Sequence, residues 1–256
     1  MKRPLWTVII PTCNCANYLK ETLASVLAQD PGEASMEIIV VDDHSTKDNP
    51  EAVVKEYGQG RVKFIRQEKN VGKVKNYEAG LRASRGTYIH QLHGDDFVYD
   101  GFYREMEAIF NESPIAGAAF CRTNYIDSKS RVTGVTGMIQ DNEGIVPDIL
   151  EKLYTQQYIQ TPSIVVKREV YETLGGYDTR LEYIEDWEFY VRAALNYEFA
   201  YSPNSLANYR VFPENSSSKS AKEGKRVKTI ERVLSIIDGY LPQNIKAEIK
   251  MLRHKA

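Results

Sequence analysis

Glu37-Ile38-Ile39-Val40-Val41-Asp42-Asp43 decides how this chain is read. Four β-branched residues in succession suit a strand covered on both faces, because in a parallel sheet the alternation of half-buried strands disappears. The run ends on two acids. A second segment, Thr87-Tyr88-Ile89-His90-Gln91-Leu92, leads through His93-Gly94 into another acidic pair, Asp95-Asp96. A third, Trp6-Thr7-Val8-Ile9-Ile10, runs into Pro11-Thr12-Cys13-Asn14. In open parallel sheets ligands bind beyond the carboxyl ends of the strands, where strand order reverses. The three strand ends are therefore expected to face one cleft, with carboxylates suited to cations and polar ligands.

Helical spacing separates these strands. Tyr18, Leu19, Thr22, Leu23, Val26 and Leu27 recur every three or four residues, and Val74 to Ala83 repeats the pattern more weakly before Ser84-Arg85-Gly86. Strand, helix, strand, helix, strand forces parallel pairing through right-handed crossovers. The N-terminal half is thus α/β. From Arg122 to Gly144 periodicity is lost and Thr, Gly, Ser and Asp accumulate, as in surface loops or short strands around a cleft. Ile164-Val165-Val166 then reads as a strand and Lys167 to Leu174 as a helix stopped by Gly175-Gly176. The acids of Glu185-Asp186-Trp187-Glu188 open a further helix through Phe189, Tyr190, Ala193, Ala194 and Tyr197. Acids in a first turn are ordinarily explained by the helix dipole alone.

Composition narrows the function. A chain of 256 residues, 42% apolar, has ample core for one large or two small domains. A formal net charge of −2 provides no general attraction to nucleic acid, and none is expected as a partner. No apolar run approaches the ~20 residues that cross a bilayer. Met1-Lys2-Arg3 before Leu5 to Ile10 has the outline of a signal peptide but no small-residue cleavage pattern, so it reads as the first strand. Cys13, Cys15 and Cys121 cannot all pair, which suits a reducing cytoplasm. A zinc site using His90 and His93 is disfavoured, because residues three apart on a strand point to opposite faces.

Taken in order, these segments resemble one family. Val8-Ile9-Ile10-Pro11-Thr12-Cys13-Asn14 with Tyr18-Leu19, Val40-Val41-Asp42-Asp43-His44-Ser45-Thr46-Lys47-Asp48, Asn70-Val71-Gly72-Lys73, Gly86 to Ile89 leading to Gly94-Asp95-Asp96, Gly175-Gly176-Tyr177-Asp178 and Glu185-Asp186 look like the family 2 glycosyltransferases of the GT-A fold. Any one block is weak, whereas the ordered series is specific. The resemblance implies an α/β fold with a Rossmann-like, mostly parallel central sheet flanked by helices and followed by a C-terminal helical extension. It implies a catalytic domain over 1–215, with a nucleotide-sugar half over 1–100 and an acceptor half over 101–215, then a linker and helices over 216–256.

The implied reaction is inverting transfer of a sugar from a nucleotide-diphosphate donor, UDP-sugar being favoured, to an acceptor hydroxyl. The acceptor would be a saccharide or lipid-linked saccharide of a surface polysaccharide or glycolipid. Asp95 matches the last acid of the family's metal motif, where Mn²⁺ or Mg²⁺ would neutralise the departing diphosphate. Asp186 matches the base that takes the acceptor proton. Asp43 matches the acid that accepts from the nucleobase ring N–H, which favours uracil or thymine. Pro11, Thr12 and Cys13 lie where the first loop packs on base and ribose. Lys73 reads equally as a phosphate contact or as a solvated helix-start lysine.

Three departures from the family pattern stand out. His93 replaces the first acid of the metal motif, which is expected to weaken the ribose or metal contact there. Cys13 replaces an aromatic that stacks on the base. Phe212 ends Asn208-Tyr209-Arg210-Val211-Phe212 where the family often has histidine, which leaves the diphosphate to Arg210 or to a mobile loop.

Beyond a flexible Pro213–Ser220 linker, Val227, Ile230, Leu234, Ile237 and Leu241 form one stripe, and Ile245, Ile249 and Leu252 a second. The stripes read as helices packed on the catalytic domain or on another copy of the chain. With Lys222, Lys225, Arg226 and Lys228 beside them, they read alternatively as an element lying on the inner face of a membrane.

Rival readings are a nucleotide-dependent dehydrogenase, a nucleotidyltransferase and a non-catalytic sugar-nucleotide-binding or scaffold protein that has kept the fold and lost turnover. The first lacks Gly-x-Gly-x-x-Gly after the first strand, and the second its glycine-rich loop. The scaffold is motivated by His93 and Phe212 and opposed by Asp43, Asp95 and Asp186.

Overall fold

The computed structural model describes residues 3–212 and 225–241. Its N-terminal half alternates β1 (Trp6–Thr12), α1 (Ala16–Leu27), β2 (Met36–Asp42), α2 (Pro50–Tyr57), β3 (Val62–Arg66), α3 (Lys73–Ala83) and β4 (Tyr88–Gln91). There follow β5 (Phe97–Val98), α4 (Phe102–Glu112), β6 (Ala116–Ile126), β7 (Val132–Val135), β8 (Gly144–Ile145), α5 (Ile149–Thr155), β9 (Ile164–Lys167), α6 (Arg168–Leu174), α7 (Glu185–Ala194), β10 (Glu198–Arg210) and α8 (Lys225–Tyr240).

One sheet carries the strands in the order β3-β2-β1-β4-β9-β6-β10-β5, with β7 on β6 and β8 on β10. β1 runs parallel to both β2 and β4, pairing Trp6 with Met36 and with Tyr88, so the three carboxyl ends lie at one edge. Strand order reverses between β1 and β4, which is the switch point where α/β sheets bind ligands. β9 enters antiparallel to β4 and β6, while β6 and β10 pair parallel. Most of the paired length is parallel.

The apolar run of β2 and β1 is explained by helices on both faces. Val8, Ile10, Ile38 and Val40 pack with Leu19, Leu23 and Val26 of α1, while Ile9, Ile39 and Val41 face the other way beside Ile89. Each such burial contributes about 1.5–3 kcal/mol. Gly80 lets α3 sit close on that second face, since a Cβ there would lie 2.4 Å from the Ile9 side chain.

Two expectations change. Arg122 to Ile126 takes the strand alternative, but as the end of the eleven-residue β6 and not as a short strand. Its Ala-rich start and polar interior hide it from hydrophobic pattern: buried Asn124 donates to Asn208 Oδ1 of β10 at 3.1 Å. In α8, Ile237 and Leu241 are buried with Val233 against α7, as a packed helix requires, whereas Val227 is 63% exposed and outside the apolar face. Tyr240 fastens the helix by donating to Glu188 Oε1 at 2.7 Å. The 213–220 linker, Lys222 and the second stripe lie outside the described residues.

Candidate active site

The loops that follow β1, β2 and β3 are tied together by short polar side chains. Asp43 is buried; its Oδ1 accepts from Val71 N–H at 2.7 Å and its Oδ2 from Gly72 N–H at 3.1 Å. Asn70 Nδ2 donates to the Asp43 carbonyl at 3.0 Å. Gly72, at φ 87, allows the turn that presents these amides before α3. Asp43 therefore fixes the 70–72 loop, and each of its oxygens keeps a second lone pair. Its neighbour Asp42 is fully buried, accepting from Ser45 N–H and Oγ and from Arg66 Nη1, so of the first acidic pair only Asp43 borders the cleft loops.

Pro11 and Thr12 are buried at the end of β1, and Thr12 Oγ1 lies 2.9 Å from Cys15 Sγ. Cys13 is exposed, its thiol 3.6 Å from the Asp43 carbonyl. Burial pushes the Cys15 thiol up to about 12, and burial with the Asp43 charge also raises Cys13, so neither is an activated nucleophile. Asn14 and Asp48 were not picked out by sequence: Asn14, at φ 54, accepts from Thr46 and Lys47 N–H, and Asp48 Oδ2 caps α1 at Ala16 N–H, 2.8 Å away.

His93, Asp95 and Asp96 form the acidic motif, with potential ligand atoms all within 4.8 Å of one another. Asp96 is 1% exposed; its Oδ1 accepts from Arg210 N–H at 2.8 Å, and its buried Oδ2 has no hydrogen-bond partner among the described residues. His93 Nδ1 stands 3.9 Å from that orphaned oxygen. Burial raises Asp95 to about 6, against the lowering influence of its own backbone amide and of Arg210. Burial and the Asp95 charge raise Asp96 further. Burial, aided by Lys73 and His90, lowers His93 to about 3, so its imidazole is neutral at pH 7 and stacks on Tyr77 at 5.2 Å.

Two crowded carboxylates, an orphaned buried oxygen and a neutral imidazole fit a divalent cation. His93 thus stands within the potential ligand cluster, whereas sequence reasoning expected its substitution only to weaken the site.

Arg210 corrects another expectation. It is 1% exposed and is not presented to a diphosphate. Its Nε donates to the Asp95 carbonyl at 2.7 Å, and its Nη1 to the Asp127 carbonyl and Ser130 Oγ, each at 3.0 Å. Its Nη2 pairs with Glu21 at 2.5 Å, and its guanidinium lies 4.4 Å over the Tyr18 ring. The residue buttresses the acidic motif from behind. Phe212 packs on the same Tyr18, ring centroids 5.3 Å apart.

Asp186 sits in the first turn of α7, after Ile184 at φ 63. Its Oδ1 accepts from Trp187 N–H at 2.9 Å; its Oδ2 accepts from Gln157 Nε2 at 2.8 Å and Thr161 Oγ1 at 3.1 Å. Burial, then the Glu185 charge, raises it to about 6, while Lys73, Trp187 N–H and Thr161 pull down. Such a carboxylate is ionised at neutral pH yet far more basic than a free one. Lys73 Nζ lies 2.8 Å from Glu185 Oε2 and 5.2 Å from the Tyr183 ring. The start of α3 is thereby joined to the start of α7. Tyr77, buried on α3 and stacked on His93, is raised well above its usual range first by burial and then by the charges of Glu185, Asp186 and Asp95.

Among the described residues no helix is long and apolar enough to cross a membrane. The sequence matches the model of Glycosyl transferase family 2 over residues 7–175. An uncharacterized glycosyltransferase of Mycoplasma genitalium is 32% identical over 145 residues, covering 54% of this chain and 48% of the relative, so the chain spans about half of that relative's length. A second, from Rickettsia typhi, is 25% identical over 251 residues, covering 98% of this chain and 76% of the relative. Among solved structures, S. aureus TarS 1-349 in complex with UDP-GlcNAc superposes with a TM-score of 0.75 at 21% identity, over 95% of this chain and 70% of that one. The mannosyltransferase PcManGT from Pyrobaculum calidifontis, in complex with GDP-Man and Mn2+, gives 0.71 at 20%, over 99% and 70%. With the switch-point cleft and the ordered acidic motifs, these matches establish that the chain belongs to glycosyltransferase family 2 and has its GT-A fold.

Proposed function

We propose that this protein is a metal-dependent, inverting glycosyltransferase that moves a sugar from a UDP-sugar to a hydroxyl of a saccharide or lipid-linked saccharide acceptor, in building a surface polysaccharide or glycolipid. The observation that carries the reading is the His93, Asp95 and Asp96 cluster, suited to a cation, together with Asp186 held by Gln157 and Thr161, suited to a proton. UDP-GlcNAc bound to TarS supports the donor class, and Mn2+ with GDP-Man in PcManGT supports a metal.

Residues 1–100 form the donor half. Asp43 accepts from the pyrimidine N–H with its free lone pairs, and Pro11, Thr12 and Cys13 flank base and ribose. Asp95, with Asp96 and His93, holds Mn²⁺ or Mg²⁺. When bound, the cation neutralises charge growing on the leaving diphosphate. Lys73 offers a point charge to the same phosphates by exchanging its Glu185 partner for the donor.

Residues 101–215 form the acceptor half. Asp186 takes the acceptor proton on Oδ1, which among the described residues accepts only from Trp187 N–H, while the acceptor oxygen bonds to the anomeric carbon. The carbon–oxygen bond to the diphosphate breaks on the opposite face, and single displacement inverts the anomeric centre. Gln157 and Thr161 keep Asp186 in place during that transfer. Residues 216–256 supply the linker and helical extension. Three free thiols suit a cytoplasmic setting, and any contact with the inner membrane face would fall to the second apolar stripe.

Calorimetric titration of UDP, TDP, GDP and ADP, with Mn²⁺ and then with EDTA, tests the donor site. UDP or TDP binding that needs the metal is expected; no binding to any nucleotide points to a scaffold. Asp186→Asn is expected to leave UDP affinity intact while turnover drops by ~10² or more. Unchanged turnover removes Asp186 as base.

A further inference from the structure

A cavity of about 300 Å³ opens beside the proposed base, lined by residues of β6, β7 and β10 and by the 136–139 and 156–158 segments. Gln157 joins the two: its amide donates to Asp186 Oδ2 at 2.8 Å, and the same side chain lines the cavity wall. The Gln157 carbonyl oxygen meets no donor among the described residues, which leaves an acceptor position for an incoming hydroxyl.

The rest of the wall has the chemistry of a sugar site. Tyr125, Tyr158 and Tyr201 supply ring faces against which the C–H face of a pyranose packs. Arg122 donates through Nε to the Thr136 carbonyl at 3.0 Å, and its terminal nitrogens meet no carboxylate among the described residues. No acid lines the cavity. A wall with one guanidinium and no carboxylate favours a negatively charged guest, which a guanidinium grips with two parallel hydrogen bonds.

We infer that this cavity is the acceptor subsite, that it takes a saccharide carrying an anionic group paired with Arg122, and that Gln157 is a positioning residue holding Asp186 through its amide and a neighbouring hydroxyl of the same saccharide through its carbonyl. This rests on Asp186 being the base. Phosphate and carboxylate share the chemistry Arg122 reads, and separate probes distinguish them.

The test is saturation-transfer NMR on the full chain with UDP and Mn²⁺ present, using glucose 6-phosphate, glucuronic acid and methyl glucoside as probes. At least one anionic probe is expected to bind at roughly millimolar affinity, about tenfold better than methyl glucoside. Arg122→Gln is expected to erase that preference, and Gln157→Ala to weaken all bound probes. Thermal unfolding of each variant reports whether it has folded. Met138 is 58% exposed at the cavity, so Met138→Trp occludes the mouth with little risk to the core and should remove binding of every probe.

Binding by no probe overturns the proposal, as does a charge preference that survives Arg122→Gln. Equal binding of the neutral sugar overturns the anionic class. UDP titrated alone into the same wild-type sample tests the donor site separately, so its failure and that of the acceptor subsite are told apart.

Discussion

Thr161→Val would remove one of the two side-chain donors that hold Asp186 Oδ2 while conserving shape at a site only 5% exposed. A hydrogen bond to an ionised group is worth about 1.5–3 kcal/mol, and 1.36 kcal/mol is one pKa unit, so its loss should raise Asp186 by about one unit or somewhat more. Starting from about 6 in the native protein, the variant's carboxyl moves to roughly 7. The sign is fixed by the role: a base works only when ionised, so a raised pKa lowers activity at acidic pH and leaves alkaline activity unchanged. At pH 6 the ionised fraction falls from about one half to about one tenth, a fivefold loss of rate, whereas at pH 9 the two proteins should be nearly equal. The assay is UDP release from a UDP-sugar with water as acceptor, followed across pH 5 to 9. A uniform loss at every pH would refute the reasoning, because it would mean that Thr161 acts through packing alone. An unmoved acidic limb would refute it equally, by showing that Asp186 does not govern the profile.

Asp95→Ala should abolish the metal-dependent tightening of UDP, and equal affinity with and without Mn²⁺ in both proteins would dismiss Asp95 as the metal's ligand. Replacing His93 by Asp should move the site from mixed nitrogen and oxygen ligands towards oxygen alone, cutting the preference for Mn²⁺ over Mg²⁺ by about tenfold in calorimetry; an unchanged ratio means His93 is no ligand. Arg210→Met leaves the Asp95 and Asp127 carbonyls without their donor and should cost about 3 kcal/mol in urea unfolding, a loss below 1 kcal/mol arguing against the buttress.

How far the sequence reaches is set by what each signal depends on. β1 and β2 are legible because an unbroken apolar run has one explanation, a strand with helices on both faces. β6 and β10 are not, because buried Asn124, Asn208 and Ser202 are satisfied only by groups that folding brings together. At the site, Asp43 and Asp95 stand out through their position at strand ends, whereas Asp186, in a helix first turn where acids are ordinary, is singled out by the family resemblance alone. Their partners do not stand out. Gln157 and Thr161 meet Asp186 across 29 and 25 residues, and Lys73 meets Glu185 from another helix. Arg210 is hidden for a related reason: a one-dimensional motif says that a guanidinium is near the acidic loop, not that it points behind that loop onto Asp95, Asp127, Ser130 and Glu21.

The Arg210 buttress also bears on how the protein is made. Asp95 and Asp96 leave the ribosome early, yet their loop is braced by a residue 115 positions after Asp95, which in turn pairs with Glu21 across 189 positions. A nascent chain that has finished β1 to β4 has its donor-side strands but lacks this brace. The acidic loop reaches its final form only after β10 has inserted between β6 and β5. Such distant closures are slow, because loop entropy must be overcome before the contacts form. Shortening the message just before Arg210 should therefore yield a chain able to fold its first strands but poorly able to hold a cation, because the brace on the acidic loop arrives only with β10.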